Sequence, residues 1–133
     1  MDEIYRLVGQ LIYHFQIVEQ HISLLVYKKS TDATLNSKSR KDINSIFNDI
    51  YNKTFGHKLN KIKRLNILDT NTDTIVLEYI KNKRNYIVHN FFTENSFNTI
   101  TDIDTHTNEL TQILHDTEIV ATAIELFICN NTF

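Results

Sequence analysis

One short stretch of this sequence holds residue types that can grip a phosphate and move a proton. Arg84, Asn85 and His89 lie within six consecutive positions. A guanidinium donates two parallel hydrogen bonds to phosphate oxygens, and an imidazole exchanges a proton near neutral pH. The group as a whole suits acid–base chemistry on a phosphate ester, with a cation to stabilise the charge of the transition state.

These residues belong to a polar line on a predicted helix. The line consists of Glu78, Asn82, Asn85 and His89, at 4-3-4 spacing. This spacing places its members on one face of an α-helix, and the line is mostly uncharged, whereas a solvated face would carry more Lys and Glu. Two interpretations stay open: a hydrogen-bonded network between helices, or a site that binds an anion and transfers protons.

The pattern of apolar residues predicts the helices that position this line. From Ile4 to Tyr27, apolar side chains recur at alternating spacings of four and three, which indicates one long amphipathic helix. Further helices are predicted at 39–55, with Ser39 as N-cap and Gly56 as the stop, about 58–65, 73–91 and 107–128. Polar stretches predict loops at 28–38, 69–73 and 92–105, the last with room for a short hairpin.

Composition favours an all-helical architecture. The 133 residues suit one domain, and they include no proline and two glycines, Gly9 and Gly56. Sheet-rich folds need more turn residues than this, and a phosphate-cradling loop needs neighbouring glycines. We therefore expect one domain over residues 1–133, an all-α up-and-down bundle of four to five helices.

No metal, cofactor or membrane partner is expected from the sequence. The start at Met1 is acidic and no apolar run is long enough for a signal or membrane segment, which favours a cytoplasmic protein. The single cysteine, Cys129, rules out an internal disulfide and a cysteine metal site.

Charge is unevenly distributed along the chain. Thirteen of the fourteen Lys and Arg residues lie between Lys28 and Arg84, where only six acidic residues are found. This distribution fits either mixed solvated charge on helices or a basic face that contacts a polyanion. Glu19 is a separate case, because it lies at the edge of the apolar stripe of the first helix. It is either a carboxylate that reaches a neighbouring group or an acid that faces a site.

The segment Arg84–His89 resembles the signature of the HEPN superfamily, the higher-eukaryote and prokaryote nucleotide-binding domains. That signature is an Arg, usually followed by a polar residue, then a His after four to six intervening residues. It lies in a late helix of a small helical bundle, and the segment here lies in the penultimate long helix predicted.

The resemblance implies a metal-independent endoribonuclease that works as a dimer, often a toxin or an antiviral-defence effector with an antitoxin protein. Arg84 and His89 would be catalytic and Asn85 would orient them. From their own positions in the sequence, Glu19, Tyr86 and Asn82 are supporting candidates, and Lys58, Lys61, Lys63 and Arg64 are candidates for contacts to RNA phosphates outside the catalytic centre. A need for a homodimer also follows from counting groups, since RNA cleavage needs an acid and a base and this constellation has one His per chain.

The sequence departs from one branch of that superfamily. Members paired with nucleotidyltransferase antitoxins usually carry a modifiable Tyr two residues after the His, and here that position is Phe91, which has no hydroxyl. An alternative function is a catalytically inactive module of the same fold, which binds a partner protein or a nucleotide through the same groove.

Overall fold

Six α-helices and one π-helical turn make up the computed structural model, which describes residues 1–31, 40–68 and 71–130. They are α1 (Asp2–Thr31), α2 (Arg40–Tyr51), α3 (Phe55–Arg64), α4 (Asn71–Asn85), the π-turn (Tyr86–Asn90), α5 (Phe91–Glu94) and α6 (Ile100–Asn130). No strand occurs in these ranges, so the expected all-α class is confirmed. None of the helices described has both the length and the apolar content that crossing a membrane requires.

Side-chain contacts define how α3, α4 and α6 pack. Early in α3, Gly56 lies beside the Lys81 side chain, while later in α3 the Lys63 ammonium lies 2.6 Å from the Glu78 carboxylate. The two helices are therefore antiparallel. The Tyr79 hydroxyl of α4 donates to Asp116 of α6 at 2.9 Å. The largest interface joins the first and last helices, α1 and α6, and the result is a bundle of five helices with ten or more residues each.

The core is built on one stripe of α1. Its fully buried members are Ile4, Leu7, Leu11, Phe15, Val18, Ile22 and Leu25. The facing stripe of α6 consists of Leu110, Ile113, Thr117, Ala121 and Ile124. Burying one such aliphatic side chain contributes about 1.5–3 kcal/mol. The two stripes therefore hold together the helices that lie farthest apart in sequence.

The boundary between α2 and α3 differs from the prediction. We expected a helix over 39–55 that stops at Gly56, but α2 ends at Tyr51 and α3 begins at Phe55. The Thr54 hydroxyl accepts the His57 amide at 3.1 Å and so satisfies a donor that a helix start leaves unpaired. Gly56 therefore lies inside the first turn of α3. The predicted N-cap Ser39 lies outside the described residues.

The predicted loop at 92–105 is partly helical, and no hairpin forms in it. The helix α5 covers its beginning, and α6 begins at Ile100 rather than near residue 107. The Thr99 hydroxyl accepts the Asp102 amide at 3.0 Å, which is an N-cap contact. The other two predicted loops are also shorter, because α1 continues to Thr31 and α4 begins at Asn71.

Candidate functional site

A widened helical turn carries the Arg–His motif. The Phe91 amide donates to the Tyr86 carbonyl, a hydrogen bond that spans five residues. A π-turn of this kind contains one more residue than an α-helical turn, and such turns are frequent at functional sites. Residues five apart, such as Arg84 and His89, lie about 140° apart around an α-helix. The wider turn reduces that angle and so brings the two positions toward one face.

The Arg84 guanidinium has an amide, not a carboxylate, as its partner. Its Nη1 donates to the Asn85 Oδ1 at 3.1 Å. Among the described residues, no carboxylate forms an ion pair with this guanidinium. A neutral partner fixes the head group without neutralising it, so Arg84 keeps its full charge for an incoming anion. The Asn85 side chain thus holds the Arg84 guanidinium in the structure.

His89 lies on an open surface framed by apolar side chains. It is exposed, and its neighbours Val88 and Phe92 are 47% and 43% exposed. The Tyr5 ring of α1, also exposed, lies 5.9 Å from the Phe92 ring. Exposed apolar groups gathered around a polar residue are typical of a surface that meets another molecule. The imidazole is therefore displayed rather than enclosed.

The predicted polar line is not continuous. At its start, the Glu78 carboxylate lies 2.6 Å from the Lys63 ammonium and 2.9 Å from that of Lys81. Hydrogen bonds from these two ammonium groups lower the pKa of Glu78. Glu78 therefore belongs to a cluster that ties α4 to α3. Asn82 is exposed and lies in α4. The π-turn then changes the helical register, so His89 does not continue the line at the expected angle.

Tyr86 supports the π-turn from within the protein. Its hydroxyl accepts a hydrogen bond from the Asn95 amide at 2.7 Å, and its ring packs edge-on against Phe91 at 5.9 Å. Burial is the main cause that raises the pKa of Tyr86. The phenol therefore keeps its proton at neutral pH, and it positions the backbone of the motif rather than acting as a base.

Glu19 and Lys58 are paired with each other, away from the motif. The Lys58 ammonium donates to the Glu19 carboxylate at 3.1 Å, and the Lys58 side chain is 1% exposed. On α1, Tyr5 lies close to the motif, because its ring is 5.9 Å from that of Phe92. Glu19 follows Tyr5 by fourteen residues, which is about 21 Å along the helix axis. Of the two interpretations of Glu19, the structure therefore shows the carboxylate that reaches a neighbouring group. Lys58 is corrected as well, because a buried, paired ammonium does not meet RNA.

The other predicted RNA contacts differ in availability. Lys63 is held by Glu78 at 2.6 Å. Lys61 and Arg64 form no ion pair with a described carboxylate, and both line a cavity between α2 and α3. Of these four cations, Lys58 and Lys63 are therefore paired within the protein, whereas Lys61 and Arg64 line a concave surface without an acidic partner among the described residues.

His106 is a neighbour of the motif that the sequence analysis missed. Its ring lies 5.9 Å from the Phe91 ring and 5.1 Å from the Phe97 ring. Its buried Nδ1 has no hydrogen-bond partner, and the Glu109 carboxylate lies 3.7 Å away. His106, Leu110 and Ile113 follow each other at 4-3 spacing, which places His106 on the buried face of α6. The predicted helix began near residue 107 and therefore left His106 out.

Comparisons with known proteins do not identify the chain. No model of a protein family matches it, and searches of curated proteins and of solved structures gave no match. In the part of the chain that the structure describes, no three His, Cys, Asp or Glu side chains are grouped so that they could hold a metal ion. Function is therefore inferred from the motif residues and their geometry.

Proposed function

We propose that this protein is a metal-independent endoribonuclease of the HEPN type, whose active site forms where two copies of the chain meet. The observation that carries the proposal is the surface around the π-turn. Arg84, whose guanidinium is held by Asn85, precedes this turn, and the exposed His89 lies in it next to the exposed Val88. A role as a toxin or antiviral-defence effector, with an antitoxin as partner, belongs to the same proposal.

The chemistry needs two imidazoles and a cation. One His89 takes the proton of a ribose 2′-hydroxyl, whose oxygen attacks the adjacent phosphorus. The bond to the 5′-oxygen breaks, and the His89 of the second chain donates a proton to that leaving group. Arg84 stabilises the added negative charge on the phosphoryl oxygens. The products are a 2′,3′-cyclic phosphate and a free 5′-hydroxyl.

Dimerisation is expected to depend on the apolar frame of the motif. Val88→Asp places a charge in the middle of that frame and should leave the protein monomeric and inactive, because burying the carboxylate opposes association. Leu126→Asp is the matched control, since Leu126 is 56% exposed near the far end of α6. Analytical ultracentrifugation at micromolar concentration, beside an RNA cleavage assay, measures both effects. A monomeric parent protein that cleaves RNA at full rate would contradict the composite site.

Cleavage is expected to continue in EDTA. The proposed steps use imidazole and guanidinium groups alone, so removing divalent cations should leave the initial rate within about twofold of the untreated protein. Chromatography of the products should show ends carrying a 2′,3′-cyclic phosphate or its hydrolysis product. A strict requirement for added magnesium, or products with 5′-phosphates, would indicate a metal-dependent mechanism.

A second candidate function is a non-catalytic module that binds a partner protein. A cavity of about 320 Å³ between α4 and α6 favours it. Its lining is mostly apolar and includes Leu68, Val76, Ile119 and Phe127, and Ile119 is 54% exposed. Purified protein that leaves total RNA intact, and is not toxic on expression, would support this alternative.

A further inference from the structure

We propose that the cavity between α2 and α3 binds a small anion that carries two or more phosphate groups. This site is separate from the Arg–His motif, and its existence does not depend on ribonuclease activity. We call it the cationic cavity.

The cationic cavity is shaped by three helices. It encloses about 340 Å³, with Val26 of α1 at its base. Its other lining residues are Asp49 and Ile50 of α2, Lys53 in the connection that follows α2, and His57, Lys58, Lys61 and Arg64 of α3. Within α3, the residues His57, Lys61 and Arg64 follow each other at 4-3 spacing, which aligns them on one face. Small-molecule sites are typically concave and about 300–1,000 Å³ in volume, so this one lies in that range.

Positive charge exceeds negative charge in the cationic cavity. Four Lys and Arg side chains line it, and two carboxylates lie near them, Asp49 in the lining and Glu19 paired with Lys58. Asp49 lies 4.0 Å from the Lys53 ammonium, and both side chains are well exposed. An exposed pair at this distance is weak and leaves Lys53 free to turn toward a ligand. Lys61 and Arg64 have no described acidic partner, so the excess charge is concentrated on α3.

Lys58 forms part of the wall of the cationic cavity. Its ammonium is held by Glu19 at 3.1 Å and lies 4.9 Å from the centre of the Tyr51 ring. The side chain is 1% exposed and Glu19 compensates its charge, so Lys58 shapes the cavity without meeting a ligand from solvent. The cations of α3 that are available to a phosphate are those of Lys61 and Arg64.

Two features favour a compact ligand over an RNA strand. On the side of α3 toward α4, the Lys63 ammonium is paired with Glu78 at 2.6 Å, so the cations of α3 without an acidic partner among the described residues lie on the cavity side. An RNA strand would need an extended basic surface. A concave surface with several cations instead suits a ligand whose negative charges lie within a few ångströms of each other. One phosphate would leave most of these cations unpaired. Two linked phosphates can meet the Arg64 fork and the lysines together.

Calorimetric titration with pyrophosphate tests the proposal. The parent protein should bind in a saturable 1:1 manner, and Lys61→Gln/Arg64→Gln should weaken the affinity at least tenfold. Arg6→Gln is the matched control, because it also removes a cation and lies twenty residues from Val26 on α1, about 30 Å away. Orthophosphate should bind more weakly than pyrophosphate, and ADP should bind about as well. Salt concentration is held constant, and a melting curve verifies that each variant is folded.

Three results would overturn the proposal: no saturable binding of pyrophosphate, equal affinity in the folded double variant, or binding of a short RNA oligonucleotide through Lys61 and Arg64 without binding of pyrophosphate. The His89→Ala variant separates this site from the proposed ribonuclease. It should bind pyrophosphate like the parent whether or not the parent cleaves RNA.

Discussion

His89→Ala is expected to reduce RNA cleavage about 10²–10⁴-fold while leaving the melting temperature unchanged. The loss follows from removing the group that moves the protons, and general acid–base catalysis contributes a factor of this size. The fold should be unaffected because the imidazole is exposed. Melting temperature and initial cleavage rate are measured on the same preparation. His115→Ala is the matched control, since His115 is an exposed histidine on α6.

Arg84→Lys is expected to fail nearly as completely as Arg84→Ala. A lysine retains the charge but not the two parallel donors that grip phosphate oxygens. It also cannot reproduce the contact from Nη1 to Asn85 in the same geometry.

A His89→Ala variant that melts like the parent and cleaves RNA at full rate would reject the ribonuclease and favour the binding module.

Glu19→Leu is expected to lower the free energy of unfolding by about 3 kcal/mol. It leaves the Lys58 ammonium almost fully buried without its carboxylate, and breaking a buried pair in this way typically costs about 3–5 kcal/mol. The lower end applies because the Glu19 side chain is 21% exposed, so water can approach the pair. Urea unfolding at one fixed protein concentration gives the value.

Lys58→Met tests whether the unpaired ammonium of Lys58 causes the loss of stability in Glu19→Leu. It leaves only a carboxylate that water can reach, so its cost should be about 1 kcal/mol, and the methionine retains most of the buried stem. The double variant Glu19→Leu/Lys58→Met should recover most of the stability lost in Glu19→Leu, since an apolar pair can replace a buried ion pair. A double variant that is less stable than Glu19→Leu would show that the charges are not the cause.

The parts of the fold that could be predicted are those governed by periodicity. The buried stripe of α1 spans about six turns of one pattern, and a long repeat of this kind specifies both the helix and its inward face. The starts of helices are harder to predict, because one side-chain hydroxyl that accepts a backbone amide can set where a helix begins. Thr54 and Thr99 each cap a helix, and the capping contact is visible only when the backbone turns there.

The candidate site was predictable in residue type but not in geometry. The pairing of Arg84 with Asn85 follows from adjacency in sequence. The burial of Lys58 does not, because a partner thirty-nine residues away decides whether a lysine faces water or the interior. The π-turn was also missed, since the 3.6-residue period assumed for the polar line contains no signal for one extra residue.

That extra residue has an evolutionary consequence. A turn that closes over five residues instead of four is what an α-helix becomes when one codon is inserted and the flanking packing is kept. Deleting one residue such as Val88 would let regular α-helical pairing resume and would leave Phe91 in the core, because the π-turn absorbs the extra residue. The spacing from Arg84 to His89 would fall from five residues to four. A lineage could therefore change the spacing of the motif by one codon without disturbing the packing on either side of it.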